Sequence, residues 1–194
     1  MKRQAKTAAK SAAQAEYPLV RLFDAHAQSP PVRALAWVSE VGDQPQLRYL
    51  SGVMIGAGLL GHRRLLRAGI RMLLAHELAT VAKKAIKNRV DRTRPRSARS
   101  QRHAEPHTGR SAAKEESSFP SGHTAGAAAV AQALSREFPK YGVAARSAAA
   151  LVGAAQVPRC AHYPSDVGVG ALIGLSAEAA VNAAWKAVVK RPRA

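Results

Sequence analysis

Apolar positions in this chain gather into blocks, and each block ends at a turn or breaker residue. Residues 46–61 (QLRYLSGVMIGAGLLG) are almost continuously apolar after Arg48 and stop at His62-Arg63-Arg64. A second block, 65–86, is interrupted by Arg67, Arg71, His76 and Glu77. Residues 121–137 are alanine-rich and end at Phe138-Pro139; 143–157 close at Pro158; 165–189 form the longest apolar segment. Alanine, leucine and glycine dominate, aromatics are few and β-branched residues rarely cluster, so each block is read as a helix. Upstream, residues 17–43 contain Ser29-Pro30-Pro31 and end at Gly42-Asp43, with Val32, Leu35, Ala36 and Val38 between. That spacing predicts a short amphipathic helix at a membrane surface. Residues 1–16 are polar, basic and alanine-rich and predict a flexible tail with at most nascent helix; 190–194 (KRPRA) form a second basic tail.

None of the blocks reaches the roughly 20 uninterrupted apolar residues of an ideal span. The mean hydropathy of -0.18 is lowered by the two tails and one internal basic stretch. Small residues four apart (Gly52 and Gly56, Gly122 and Gly126, Gly170 and Gly174) favour close helix packing in lipid. Glu77 and Glu178 then have to face the bundle interior or the interface. The expectation is an all-α, membrane-embedded bundle of about five core helices over residues 44–189, preceded by the amphipathic helix. A soluble alanine-rich bundle is the alternative this pattern leaves open. If the helices alternate direction, His62-Arg63-Arg64, Arg136, Lys140, Arg146 and the C-terminal tail share one side, which the positive-inside rule makes cytoplasmic. The loop after residue 87 and the region of His162 then share the opposite face.

Length and charge narrow the class. With 194 residues the chain suits one domain with a core, and its single cysteine, Cys160, excludes an internal disulfide or a thiolate metal cluster. A formal charge of +18 predicts attraction to a polyanion: nucleic acid, an anionic membrane surface or a phosphorylated substrate. The apolar blocks and the scarcity of aromatics for base stacking count against nucleic acid. No apolar signal-peptide core follows the basic start directly, so cleavage and secretion are not expected. Outside the tails the charge crowds into 87–114, and 96–118, rich in arginine, serine and glutamate, reads as a mobile loop.

Three segments on the shared face carry chemistry. In 87–95 (KNRVDRTRP), Lys87 offers a point charge and Arg94 a fork-shaped guanidinium, a usual pair for phosphate oxygens. In 119–124 (FPSGHT), a turn opens a helix whose free N–H groups and Ser121 hydroxyl make an anion site, and His123 is placed to donate a proton to a leaving oxygen. In 159–166 (RCAHYPSD), His162 stands four residues before Asp166. A carboxylate bonded to one ring nitrogen fixes the tautomer and leaves the other nitrogen free to attack. Pro164 suits the first turn of the last helix.

Taken in order, Lys87-x6-Arg94-Pro95, Pro120-Ser121-Gly122-His123 and His162-x3-Asp166 resemble the signature of the type 2 phosphatidic acid phosphatase superfamily. That group includes lipid phosphate phosphatases, bacterial class A acid phosphatases and vanadium haloperoxidases. The resemblance, over roughly residues 46–189, implies a helical bundle with the site at one end and a metal-independent phosphatase with no cofactor. By the same resemblance Lys87, Arg94, Ser121 and Gly122 bind phosphoryl oxygens. His162, oriented by Asp166, becomes a phosphohistidine, and His123 protonates the leaving group.

One position departs from that pattern. An arginine usually stands six residues before the third-motif histidine, and here the residue is Gln156. Arg159 follows one helical turn later, and the expectation is that it takes over the phosphate contact; otherwise the site lacks a cation and the chain is a degenerate member. The expected substrate is a membrane lipid phosphate at the non-cytoplasmic face of a bacterial inner membrane. Polyprenyl pyrophosphate, phosphatidate and phosphatidylglycerophosphate fit equally. A vanadate-dependent haloperoxidase and a basic anion- or nucleic-acid-binding protein are the other readings.

Overall fold

The computed structural model describes residues 2–98, 104–111 and 113–189. Among them lie seven α-helices: α1 (Lys2–Asp24), α2 (Pro30–Ser39), α3 (Gln44–Leu59), α4 (Arg63–Lys87), α5 (Gly122–Glu137), α6 (Gly142–Ala155) and α7 (Pro164–Val189). The five expected core helices correspond to α3 through α7, and the all-α expectation holds. The strands β1 (Val90–Asp91) and β2 (His107–Thr108) are one antiparallel pair of two residues each.

The N-terminal third differs from the expectation. Instead of a flexible tail over 1–16, α1 runs from Lys2 through Pro18 to Asp24. The helix-favouring alanines and lysines of this stretch gain a tertiary anchor that the sequence does not announce. Ala13 and Val20 are buried, and Val20 packs with Tyr163 and Ala104. The single helix expected within 17–43 is two, because Ser29-Pro30-Pro31 forces a new start: Ser29 is the N-cap and the prolines occupy the first turn of α2. The C-terminal tail, 190–194, and residues 99–103 and 112 of the expected loop lie outside the described residues. The described part of 96–118 is hydrogen-bonded to the segment that follows α4, with the Arg92 and Arg94 amides donating to the Glu116 and Glu115 carbonyls at 2.8 and 2.6 Å.

α5 is the axis of the bundle, packing against α4, α6 and α7, while α3 lies along α4. The core is built from small residues: Ala68, Met72, Ala75 and Ala79 of α4 meet Ala129, Val130 and Ala133 of α5 and Ala177 of α7. Such a core depends on close backbone approach. A Cβ on Gly174 would stand 2.3 Å from the Ala125 carbonyl oxygen, and one on Gly170 2.6 Å from that of Ser121. The pair 170/174 therefore seats α7 on α5 as the spacing predicted. Gly52 and Gly56 do not: both face open space, and α3 instead approaches α4 through Gly58 and Gly69.

At the end of the bundle away from the α4–α5 connection, the Arg64 Nε donates to the Glu137 carbonyl at 2.6 Å. This joins the start of α4 to the end of α5, as alternating helix directions require. Buried Arg71 lies between Glu137 (3.2 Å) and Glu178 (3.7 Å), and the latter also pairs with Arg136 at 3.2 Å. Glu77 pairs with Arg48 across α3 and α4 at 2.6 Å. Among the described residues one helix, α7, is long and apolar enough to cross a membrane.

Candidate active site

Three connections meet at the other end. The Ser118 amide donates to the Arg92 carbonyl at 3.0 Å, the Ser121 amide to the Asp166 carbonyl at 3.0 Å, and the Arg96 amide to the Cys160 carbonyl at 3.1 Å. Segments up to 64 positions apart, by their residue numbers, are thus stitched backbone to backbone. Within the α6–α7 connection, the Ala161 and His162 amides both donate to the Gln156 carbonyl at 3.1 and 3.2 Å, and Cys160 adopts φ 50°. A non-glycine residue in that left-handed region is uncommon; the strain turns the chain so that His162 points back at α5.

His162 is almost fully buried. Its Nδ1 lies 2.7 Å from the Ser118 carbonyl oxygen and 3.7 Å from the nearer Asp166 oxygen. A carbonyl only accepts, so Nδ1 carries the proton and Nε2 keeps its lone pair. The sequence expectation assigned this orienting bond to Asp166; the Ser118 carbonyl makes it, and Asp166 acts from one step behind. Asp166 accepts from the Ser118 hydroxyl and from the Tyr163 amide at 2.9 Å, which fixes the residue that fixes the histidine. Burial pulls the His162 pKa from 6.5 down to about 4, against the opposing pull of Asp166. The ring is neutral across the physiological range.

Asp166 in turn is held by Arg92, a residue the motif reading passed over. The Arg92 guanidinium is buried, lies 3.9 Å over the Tyr163 ring, and donates to Asp166 at 2.6 Å, the Ser165 hydroxyl at 2.8 Å, the Ala104 carbonyl at 2.7 Å and Glu16 at 3.0 Å. Glu16 belongs to α1, inside the segment expected to be a loose tail, and also accepts from the Ser165 amide at 2.6 Å. A chain of charge therefore runs from α1 through Arg92 and Asp166 to the histidine. In the sequence Arg92 is one of several arginines in a basic run, and no local signal marks it.

Beside His162 opens a cavity of about 320 Å³ lined by Arg94, Gly122, His123, Gln156, Arg159 and His162, with Lys83, Arg96 and Lys114 adding positive charge and Glu40 and Asp43 on one wall. Of the eight expected site residues it gathers Arg94, Gly122, His123, Arg159 and His162. The other three stand outside the lining. Lys87 donates to the Ser117 carbonyl, Ser121 is fully buried against the Thr124 hydroxyl at 2.9 Å, and Asp166 is behind His162. Arg94 donates from Nε to the Lys114 carbonyl at 2.9 Å. The His123 Nε2 is buried without a hydrogen-bond partner, 3.9 Å from Glu40. Arg159 reaches the wall, but its terminal nitrogens bond Ser39 Oγ at 2.6 Å and Glu40 at 2.7 Å. Gln156 is buried and donates to the Val152 carbonyl at 2.9 Å, bringing no charge. Lys83 was not anticipated; it lies one turn before Lys87, so helical spacing from the first motif was the available signal.

Glu40, Asp43 and His123 are close enough to share an ion, but Glu40 is tied to Arg159 and Asp43 caps α3 through the Gln44 amide at 2.9 Å. Both have structural partners, and a surplus of cations surrounds them.

The fold is similar to that of Aquifex aeolicus LpxE, with a TM-score of 0.61 and 22% identity over 86% of this chain and 93% of that one. A second solved structure, the first transmembrane PAP2-type phosphatidylglycerolphosphate phosphatase from Bacillus subtilis, aligns with a TM-score of 0.44 and 20% identity over 94% of this chain and 99% of that one. No curated protein matches the chain. The family model of the PAP2 superfamily matches residues 68–192, a stretch that contains all three motifs, and the chain belongs to that superfamily.

Proposed function

We propose that this protein is a phosphatase acting on a lipid phosphate, with His162 as its nucleophile. The observation that carries the reading is the state of His162: a neutral ring at a cationic cavity, its Nδ1 proton engaged by Ser118, its Nε2 left for a substrate. In the proposed reaction Nε2 forms a bond to phosphorus as the phosphorus–oxygen bond to the leaving group breaks. His123, across the cavity, gives its proton to the departing oxygen. The phosphorylated ring is cationic, and the Asp166 carboxylate 3.7 Å away stabilises it. Water then gives a proton to His123 as it attacks phosphorus, the nitrogen–phosphorus bond breaks, and inorganic phosphate leaves. Arg94 and the free amides opening α5 at Gly122 hold the equatorial oxygens, where fixed positive charge contributes most. Lys87 and Ser121 support that wall from behind, and Arg159 lines it while tied to Glu40.

A lipid substrate is favoured by the apolar surface of the bundle. α7 has a mean hydropathy of 1.5 over its apolar window, only 22% of which is buried within the bundle. A core helix of a water-exposed protein would be covered. Trp37, Leu59, Leu60 and Leu172 are also exposed, a band of apolar side chains suited to a bilayer. The basic connections 62–64 and 136–146 sit at the end opposite the cavity, which supports a cavity on the non-cytoplasmic face of a bacterial inner membrane. Phosphate release by the purified protein in detergent, with EDTA present, tests the reading. Release from phosphatidate or a polyprenyl pyrophosphate that His162→Ala abolishes is expected. Equal release by that variant rejects the nucleophile.

A further inference from the structure

Among the cations lining the cavity, Lys83 is the buried one whose side chain has no bonded partner, whereas Arg96 and Lys114 are exposed. Lys87, Arg94 and Arg159 all donate to carbonyl, hydroxyl or carboxylate oxygens. Lys83 is only 6% exposed, yet it makes no hydrogen bond or ion pair with any described residue; Asp43, on the same cavity wall, acts on it only through space. The side chain is buried while its ammonium borders the cavity with no bonded counter-charge, an arrangement suited to an anion in that cavity.

Its position says which anion. The ammonium lies 2.8 Å from the point where a Cβ on Gly122 would stand, so it rests on the first residue of α5. The amides of that first turn have no intrahelical acceptor, and the N-cap Ser121 leaves them free, its hydroxyl turned to Thr124. Lys83 and the α5 amides converge on one volume, bordered by His162 and His123. Position 156 lines the same cavity without charge, and Arg159 is engaged elsewhere. Glycine at 122 leaves room for the ammonium, which a side chain there would shift.

We propose that Lys83 is a substrate-binding residue whose ammonium takes a non-bridging phosphoryl oxygen at the start of α5, supplying the cation that Gln156 does not. This rests on reading the cavity as a phosphatase site. It also reassigns the phosphate contact from Arg159 to Lys83.

The test uses the full-length protein in detergent with EDTA. Calorimetric binding of inorganic phosphate is measured for Lys83→Met, Lys83→Arg, Lys83→Met with Gln156→Arg, and the neighbouring exposed Lys84→Met as charge-matched control. Hydrolysis of phosphatidate is followed in parallel. Lys83→Met is expected to weaken phosphate binding about 10- to 100-fold, the size of a lost charge-assisted hydrogen bond, while Lys84→Met binds as the parent does. Because Lys83→Met also changes packing, recovery decides the cause: Lys83→Arg or the added Gln156→Arg is expected to restore at least about tenfold. Unchanged binding in Lys83→Met overturns the proposal, and so does a loss that neither restored cation recovers. Phosphate binding that depends on Lys83 in a protein releasing no phosphate from any ester supports this inference and rejects the catalytic reading. Turnover with Lys83-independent binding does the reverse.

Discussion

Both ends of the bundle are rich in charge, and they use it in opposite ways. At one end Arg67, Arg71 and Arg136 are matched to Glu137 and Glu178, with Asn182 accepting from Arg71 at 2.6 Å and the Trp185 ring beneath it. At the other end Lys83, Arg94, Arg96, Lys114 and Arg159 surround a cavity whose lining carboxylates, among the described residues, are Glu40 and Asp43, while Asp166, behind His162, is claimed by Arg92. Compensated charge fastens helices together; uncompensated charge around a cavity holds a ligand. The comparison also explains how strongly basic segments sit within one compact fold, since each end contains its charge with different partners.

Breaking the cavity end is expected to have the largest effect. Substitution of His162 by alanine removes the proposed attacking nitrogen and should lower kcat by more than about 10³-fold with little change in thermal unfolding, as removal of a covalent nucleophile does elsewhere. Breaking the paired end should do the converse. Glu178→Ala leaves Arg71 short of a partner in a buried place and is expected to cost about 3–5 kcal/mol of stability, read as a lower unfolding temperature, with phosphate affinity unchanged in the folded fraction.

The sharper tests join the two descriptions. Glu16→Gln loosens Arg92 without touching the cavity, and a fall in kcat of about tenfold with KM nearly constant is expected if the charge chain through Asp166 positions His162. Removal of α1 to residue 24 should act at least as strongly. The smallest effect concerns pH. As the proposed nucleophile His162 must be neutral, and burial pulls its pKa from 6.5 down to about 4. The acid limb of kcat/KM that belongs to this group should therefore lie near pH 4, with no inflection from it at 6.5. The same lowered value means that the unfolded chain binds the proton first, so stability contributed by the neutral ring is full above pH 6.5 and is lost as pH falls through 4.

Much of this was legible in the chain. Breakers such as Pro139, Pro158 and Pro164 punctuate helices reliably because proline lacks a donor, so the boundaries of α3 through α7 fall within a few residues of the pattern. The three motifs name His162, His123, Arg94 and Gly122 because their chemistry is local. Contacts that depend on tertiary closure were not legible. Glu16 and Arg92 are ordinary charged residues until the fold buries them together, and Ser118 contributes a backbone carbonyl, which has no sequence signature. Arg159 is the converse case: spacing placed it near the cavity, which it lines, while the Ser39 and Glu40 that engage it come from α2 and the turn after it, more than a hundred residues upstream by number.

The most direct test of a covalent His162 intermediate is the stereochemical course at phosphorus when the protein transfers an isotopically chiral phosphoryl group to an acceptor alcohol. Two successive in-line displacements, at His162 and then at the acceptor, predict retention of configuration. Inversion would mean a single direct displacement and would contradict the account of the cavity built around a free Nε2.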